Sequence, residues 1–310
     1  VNDVRVIDVA PRDGLQNEPG VIALDDKLKL VRLLTNSGVD EVEVTSFVSP
    51  KWVPQLADAR ALCDSLAKAP SKPAGVMYSA LVPNDKGMDQ ALEVNQRAGR
   101  RILDKVSVFT AASETFSRKN TNASIEETIE RFRPVVARAK ANSLLVRGYV
   151  SCAIACPFEG AISPQSVAHV SRRLADLGVD EISLGDTIGA GAPENIVAML
   201  DAVRSALSGE WTSDEFKLNL HLHDTFGRAA ACVIAALNAG IRSFDASVAG
   251  LGGCPYASTP GKRAPGNIDT SLLIRTIRDR GFSTGASPDT LAEAASFARS
   301  IVSAARVSSG

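Results

Sequence analysis

The chain lacks the features that mark several common functions. Its 34 basic and 35 acidic residues leave a formal net charge of −1, so neither a nucleic acid nor a membrane surface is an expected partner. No apolar run reaches the roughly 18 residues of a membrane span. No Gly-x-Gly-x-x-Gly follows the first strand-like segment, which counts against a dinucleotide-binding fold. The five cysteines (Cys63, Cys152, Cys156, Cys232 and Cys254) neither form an even set nor show paired zinc spacing. That pattern points to free thiols in a reducing compartment, the cytoplasm or, after removal of a targeting peptide, the mitochondrial matrix. No Pro/Gly-rich linker separates a second domain. Small-molecule chemistry is the class these absences leave.

Histidine is also scarce, with three in 310 residues. Two of them stand together in His221-Leu222-His223-Asp224, at the end of the alternating run Lys217-Leu218-Asn219-Leu220. Successive side chains of a strand face opposite ways, so Leu218, Leu220 and Leu222 share one face and Asn219, His221 and His223 the other. The two imidazoles then lie side by side, their backbones roughly 6 to 7 Å apart, near enough to grip one metal ion. The plainer alternative is a hydrogen-bonded pair inside a barrel. His169, between Val167 and Val170 in a helical stretch, reads as surface or packing, as do Cys63 and Cys232.

Short apolar runs alternate with longer amphipathic segments along the chain. Strands are expected at 4–9, 41–45, 75–81, 105–109, 147–151, 181–184, 218–223 and 243–248. The segments between them end in turns such as Ser37-Gly38-Val39-Asp40, Leu177-Gly178-Val179-Asp180 and Ala239-Gly240-Ile241-Arg242, where glycine caps a helix before the next strand. Eight strand–helix units match a closed (β/α)8 TIM barrel of the α/β class better than an open doubly wound sheet. The barrel is assigned residues 1–267, and residues 268–310 a helical C-terminal extension, with helices at 271–280 and 288–307 packed on the barrel.

Barrel chemistry sits at the C-terminal ends of the strands and in the loops that follow. Polar groups crowd there: Arg12, Asp13 and Gln16 after the first strand, Glu43 and Thr45 in the second, Ser113 and Glu114 after the fourth, Asp186 and Thr187 after the sixth, and the two histidines. Val42 and Val44 take the outward face and leave Glu43 pointing into the barrel. A buried carboxylate is costly without a partner, and Arg12 is the candidate. Two imidazoles with carboxylate and amide oxygens describe a site for magnesium, manganese or another divalent Lewis acid. Asp13 can supply the carboxylate and Asn267 a fourth ligand, although spacing alone does not pick Asn267 over its neighbours.

Long stretches carry a further signal. These are Arg12-Asp13-Gly14-Leu15-Gln16-Asn17-Glu18, Glu43-Val44-Thr45-Ser46-Phe47-Val48-Ser49-Pro50-Lys51-Trp52-Val53-Pro54, Gly185-Asp186-Thr187-Ile188-Gly189, His221-Leu222-His223-Asp224-Thr225 and Gly250-Leu251-Gly252-Gly253-Cys254-Pro255-Tyr256-Ala257. Together they closely resemble the 3-hydroxy-3-methylglutaryl-CoA lyase family, metallolyase barrels whose first strand ends in an Asp-Arg-Glu-type motif. Ala112-Ser113-Glu114 with Lys119-Asn120, and Tyr149-Val150-Ser151-Cys152 with Cys156-Pro157, extend the similarity over nearly the whole barrel.

The resemblance implies retro-Claisen cleavage of 3-hydroxy-3-methylglutaryl-CoA to acetyl-CoA and acetoacetate, on a Mg2+ or Mn2+ centre held by Asp13, His221, His223 and Asn267. It implies Arg12 as the group that stabilises the enolate, Glu43 as the residue orienting Arg12 or a water, and Cys254 as the acid on a glycine-flanked loop. The base is His221 or Asp13. Arg12, Gln16 and Asp186 are the expected substrate contacts, an acyl-CoA the ligand, and a homodimer the assembly. The glycines before Cys254 read either as a hinge or as a weak phosphate cradle.

One segment departs from the family pattern. Ser258-Thr259-Pro260-Gly261-Lys262-Arg263-Ala264-Pro265 intervenes before Gly266-Asn267, about four residues more than usual, and Ile268-Asp269-Thr270-Ser271 replaces the usual acidic residues. This bears on acyl-group recognition. It keeps a lyase for a citramalyl-CoA-like substrate in view, beside a related Claisen-condensing synthase and a barrel that only binds acyl-CoA.

Overall fold

The computed structural model describes residues 3–207, 209, 211, 217–253 and 266–307. Its strands are β1 (Arg5–Asp8), β2 (Glu41–Ser46), β3 (Met77–Leu81), β4 (Lys105–Ala111), β5 (Leu145–Ser151), β6 (Glu181–Asp186), β7 (Leu218–Leu222) and β8 (Ser243–Ala246). All pair in parallel with their sequence neighbours, and β1 pairs with β8 in register Arg5 to Ser243, so the sheet closes into the expected barrel. A two-residue antiparallel pair, Ala155–Cys156 with Gly160–Ala161, lies outside the barrel sheet.

The strand faces explain the closure. Val42, Val44, Ile182, Leu184, Leu218, Leu220 and Leu222 point outward and are buried under the helical ring. Burying each such side chain contributes roughly 1.5–3 kcal/mol. The three glycine turns read from the sequence take left-handed backbone, with φ of 82° at Gly38, 96° at Gly178 and 85° at Gly240. Only glycine adopts that conformation without a Cβ penalty, and each chain reversal delivers the next strand to the sheet. An aspartate beneath the barrel then tethers the strand before it: Asp40 accepts from Val6 N at 2.9 Å, Asp104 from Tyr78 N at 2.7 Å and Asp180 from Val146 N at 2.8 Å.

The segment after β8 does two jobs. Helix Thr270–Asp279 packs beside helix Ala229–Asn238 and completes the ring of barrel helices, while helix Pro288–Val307 lies outside it against helix Leu24–Asn36. Cys63, Cys152, Cys156 and Cys232 are buried and form no disulfide among the described residues, and His169 is exposed. Among the described residues no helix is long and apolar enough to cross a membrane.

Candidate metal centre at the mouth of the barrel

Beyond β1 the chain makes a wide π-helical turn, Ala10–Gly14, in which the carbonyl of Val9 accepts from Arg12 N at 3.2 Å, Asp13 N at 2.8 Å and Gly14 N at 3.2 Å. The turn directs two adjacent side chains to the barrel mouth. Arg12 donates through Nε to Glu43 Oε2 at 2.5 Å and through Nη1 to Asp13 Oδ1 at 2.7 Å, and its guanidinium lies 5.6 Å from the Tyr149 ring centre. The partner expected for buried Glu43 is therefore the one found. Burial disfavours the Arg12 charge, but Glu43 and Asp13 outweigh it and push its pKa up. Burial likewise disfavours the Asp13 carboxylate, yet Arg12 and the two imidazoles hold it well below the usual carboxylate range.

Asp13 faces β7 across the mouth. One ligand atom each from Asp13, His221 and His223 all lie within 4.8 Å of one another, and the two imidazole centres are 5.4 Å apart. Asn267 joins them because it forms an antiparallel bridge with His223, and its Nδ2 donates to Asp13 Oδ2 at 2.7 Å and to the Leu251 carbonyl at 3.0 Å. Among the described residues, His223 Nδ1 and Asn267 Oδ1 are buried without a hydrogen-bond partner. Buried polar atoms are seldom left so. A carboxylate, two imidazoles and an amide oxygen around unsatisfied atoms fit a divalent cation. Burial and the neighbouring His221 push His223 down to about 4, which keeps its ring neutral, the form that binds metal.

The same mouth opens into a cavity of about 510 Å³. Arg12, Asp13, Gln16, Tyr149, His221 and His223 line it, so Gln16 stands where a substrate contact was expected. Asp186 does not: it shares the outward face of β6 with Ile182 and Leu184, and its carboxylate accepts from Ala190 N at 3.0 Å and Gly191 N at 2.7 Å. It organises the loop bearing Thr187, which does line the cavity. Cys254 and the extended segment 258–265 lie outside the described residues.

The glycines before Cys254 have a packing role. Gly252 has φ of 104°, and a Cβ there would stand 2.6 Å from Asn267 Nδ2 and 3.3 Å from Asp13 Oδ2. The backbone must pass that close for Leu251 O to hold the asparagine. Two supporting carboxylates stand outside the motifs that the sequence offers. Asp245 Oδ2 lies 3.0 Å from His221 Nδ1, and Asp8 accepts from Ala10 N, Val248 N and Thr270 Oγ1 at 2.9, 3.0 and 2.7 Å. Alternation along β8 places Asp245 on the inward face, the signal that could have found it.

The site and barrel have close counterparts. The hydroxymethylglutaryl-CoA lyase of Pseudomonas mevalonii is 46% identical over 295 residues, covering 94% of this chain and 89% of the relative. A crystal structure of the HMG-CoA lyase from Brucella melitensis superposes with a TM-score of 0.88 at 43% identity, covering 98% of this chain and 100% of that one. An HMG-CoA lyase from an Acinetobacter, solved in complex with coenzyme A and 3-methylmalate, gives a TM-score of 0.84 at 32% identity, covering 97% and 91%. The family model described as HMGL-like matches residues 3–298, and with it the fold, the metal-ligand cluster and the sequence agree: the chain belongs to the HMGL-like family.

Proposed function

We propose that this protein cleaves 3-hydroxy-3-methylglutaryl-CoA to acetyl-CoA and acetoacetate by a divalent-metal-dependent retro-Claisen reaction. The observation that carries it is the meeting of Asp13, His221, His223 and Asn267 with the Arg12–Glu43 pair at the barrel mouth, where Arg12, Asp13 and both histidines line one cavity. Similarity to HMG-CoA lyases, one of them holding coenzyme A, supports the acyl-CoA substrate.

Asp13, His221, His223 and Asn267 would hold Mg2+ or Mn2+. When bound, the cation supplies Lewis acidity that eases loss of a proton from an adjacent hydroxyl. The tertiary hydroxyl proton passes to Asp13, whose carboxylate keeps lone pairs beside the cation, whereas His221 has one ring nitrogen toward the cation and the other against Asp245. The oxygen's electrons form the ketone of acetoacetate, the carbon–carbon bond breaks, and its electron pair moves into the thioester as an enolate. Arg12, immobilised by Glu43, stabilises that oxyanion. Cys254 then gives its thiol proton to the carbanion carbon and completes acetyl-CoA. Gly253, next to it in the chain, lines the cavity. Gln16 contacts the acyl group, and Asp186 acts on the substrate through the Thr187 loop. The working assembly is a homodimer.

The test is acetoacetate release from 3-hydroxy-3-methylglutaryl-CoA by purified protein with Mg2+ or Mn2+, and again after chelation. Metal-dependent release is expected. Metal binding with no release, but turnover of a citramalyl-CoA-like thioester, would move the acyl specificity while keeping the chemistry.

A further inference from the structure

Below the metal centre the barrel is filled by charge instead of the usual branched apolar layers. Lys105 Nζ donates to Glu41 Oε2 at 2.6 Å and to Glu181 Oε2 at 2.7 Å. Fully buried Arg147 donates to Glu181 Oε2 through Nε at 3.0 Å and Nη2 at 2.9 Å, and to Glu41 Oε2 at 3.2 Å. Arg5 closes the bottom, reaching Glu181 at 3.0 Å and Glu41 at 3.4 Å. The mechanism uses none of these groups, yet the ladder does not end among them.

Its top rung is Asp245. Arg147 Nη1 reaches Asp245 Oδ1 at 3.4 Å, Ser183 Oγ donates to Oδ2 at 3.2 Å, and His221 Nδ1 meets Oδ2 at 3.0 Å. Arg147 and Ser183 can both donate here, so the carboxylate has no proton to offer the imidazole. Its contact with His221 is satisfied only if Nδ1 carries the hydrogen. That leaves the Nε2 lone pair for the opposite side of the ring. Arg147 braces a second part of the site as well: it lies 5.8 Å from the centre of the Tyr149 ring, over which Arg12 lies at 5.6 Å, and Tyr149 meets His221 edge-on at 6.1 Å.

We propose that Asp245 is a positioning residue of the metal centre: anchored through Arg147 to the buried charge ladder, it fixes His221 as the Nδ1–H tautomer and presents Nε2 toward Asp13 and His223. The reading rests on the metal-centre assignment. Such carboxylate partners behind a ligand histidine typically contribute 10–100-fold to metal affinity. Asp245→Asn keeps the shape but must turn an amide NH2 toward Arg147 or toward His221 and Ser183, all of them donors.

The experiment is long-range nitrogen–proton NMR of the imidazoles in metal-free protein, where only three histidines contribute, together with Mn2+ titration followed by electron paramagnetic resonance. The wild type is expected to show one ring locked as Nδ1–H. Asp245→Asn is expected to lose that signature and to bind Mn2+ roughly 10–100-fold more weakly, with an unchanged circular dichroism spectrum. Ser183→Ala, which removes a donor to the same carboxylate but does not touch His221, is expected to keep both. An Nε2–H ring for His221 in the wild type, or Mn2+ affinity within twofold in Asp245→Asn, overturns the proposal. Absence of Mn2+ binding by the wild type would defeat the metal assignment, while the tautomer of His221 still decides the role of Asp245. If Asp245→Asn fails to fold, the wild-type spectrum alone decides it.

Discussion

Glu43 Oε2 receives the Nε–H of Arg12 at 2.5 Å, and neither the carboxylate nor most of the guanidinium reaches water. Removing one member of a buried pair strands the other charge, at a cost of about 3–5 kcal/mol. Glu43→Ala is therefore expected to lose stability of that order in urea unfolding. Arg12→Lys is expected to fold, to bind Mn2+ within a few-fold of wild type, and to lose about 100–1000-fold in kcat, because an ammonium cannot reproduce the fork aimed at the enolate. A comparable loss of Mn2+ affinity in Arg12→Lys would mean that the arginine shapes the metal site and not the transition state.

Gly252 allows a sharper test of how Asn267 is held. A methyl at Gly252 would fall 2.6 Å from Asn267 Nδ2 on backbone with φ of 104°. Gly252→Ala should push the amide off Asp13 and weaken Mn2+ binding at least tenfold. Isothermal titration of the two proteins measures it, and equal affinities would show that Asn267 is not part of the metal set.

The barrel was legible because its information is local. Val42 and Val44 flanking Glu43, or the leucines between Asn219, His221 and His223, reveal which face is inward without knowledge of the partner strand. Glycine turns such as Leu177-Gly178-Val179-Asp180 are local too. The charge ladder was not legible, since Lys105, Arg147 and Glu181 each read alone as a strand terminus, and the pairs they make join residues 34 to 106 positions apart. Asp186 shows the same limit in reverse. Its place just past the strand expected at 181–184 suggested the mouth, but parity with Ile182 and Leu184 turns it outward at the end of β6, where loop amides capture it.

Because Asp186 supports the loop from behind, its effect on the reaction should travel through Thr187. Asp186→Ala frees two backbone amides and is expected to raise KM for the acyl-CoA at least several-fold with Mn2+ affinity unchanged. Steady-state kinetics at saturating Mn2+ give the split, and a fall confined to kcat would contradict this path.

A ligand that binds only the folded state stabilises it by about 2.7 kcal/mol at 100 times its Kd. Mn2+ should accordingly raise the Tm of the wild type and of Cys254→Ala, but not that of His223→Ala. Turnover should be lost in both variants. Cys254→Ala at a near-normal rate would remove the cysteine from the role of proton donor.

Asp8 gives the stability a pH dependence independent of the metal. Burial pushes its carboxyl up to about 7, against the pull of Thr270, Ala10 and Val248, which tie together the segments bearing Asp13, the glycine run and Asn267. In the unfolded chain the same carboxyl ionises near 4. Between these values the unfolded state gives up its proton and the folded state keeps it. The Asp8 contribution is therefore complete below about pH 4 and is lost as the pH climbs through about 7, with a ceiling of about 4 kcal/mol. Asp8→Asn cannot ionise. In urea unfolding of metal-free protein between pH 4.5 and 7.5, its stability should fall less steeply than that of the wild type, so the two profiles converge toward neutral pH. Parallel profiles would mean that Asp8 is already ionised in the folded protein at low pH, held by its two backbone amides and the threonine hydroxyl.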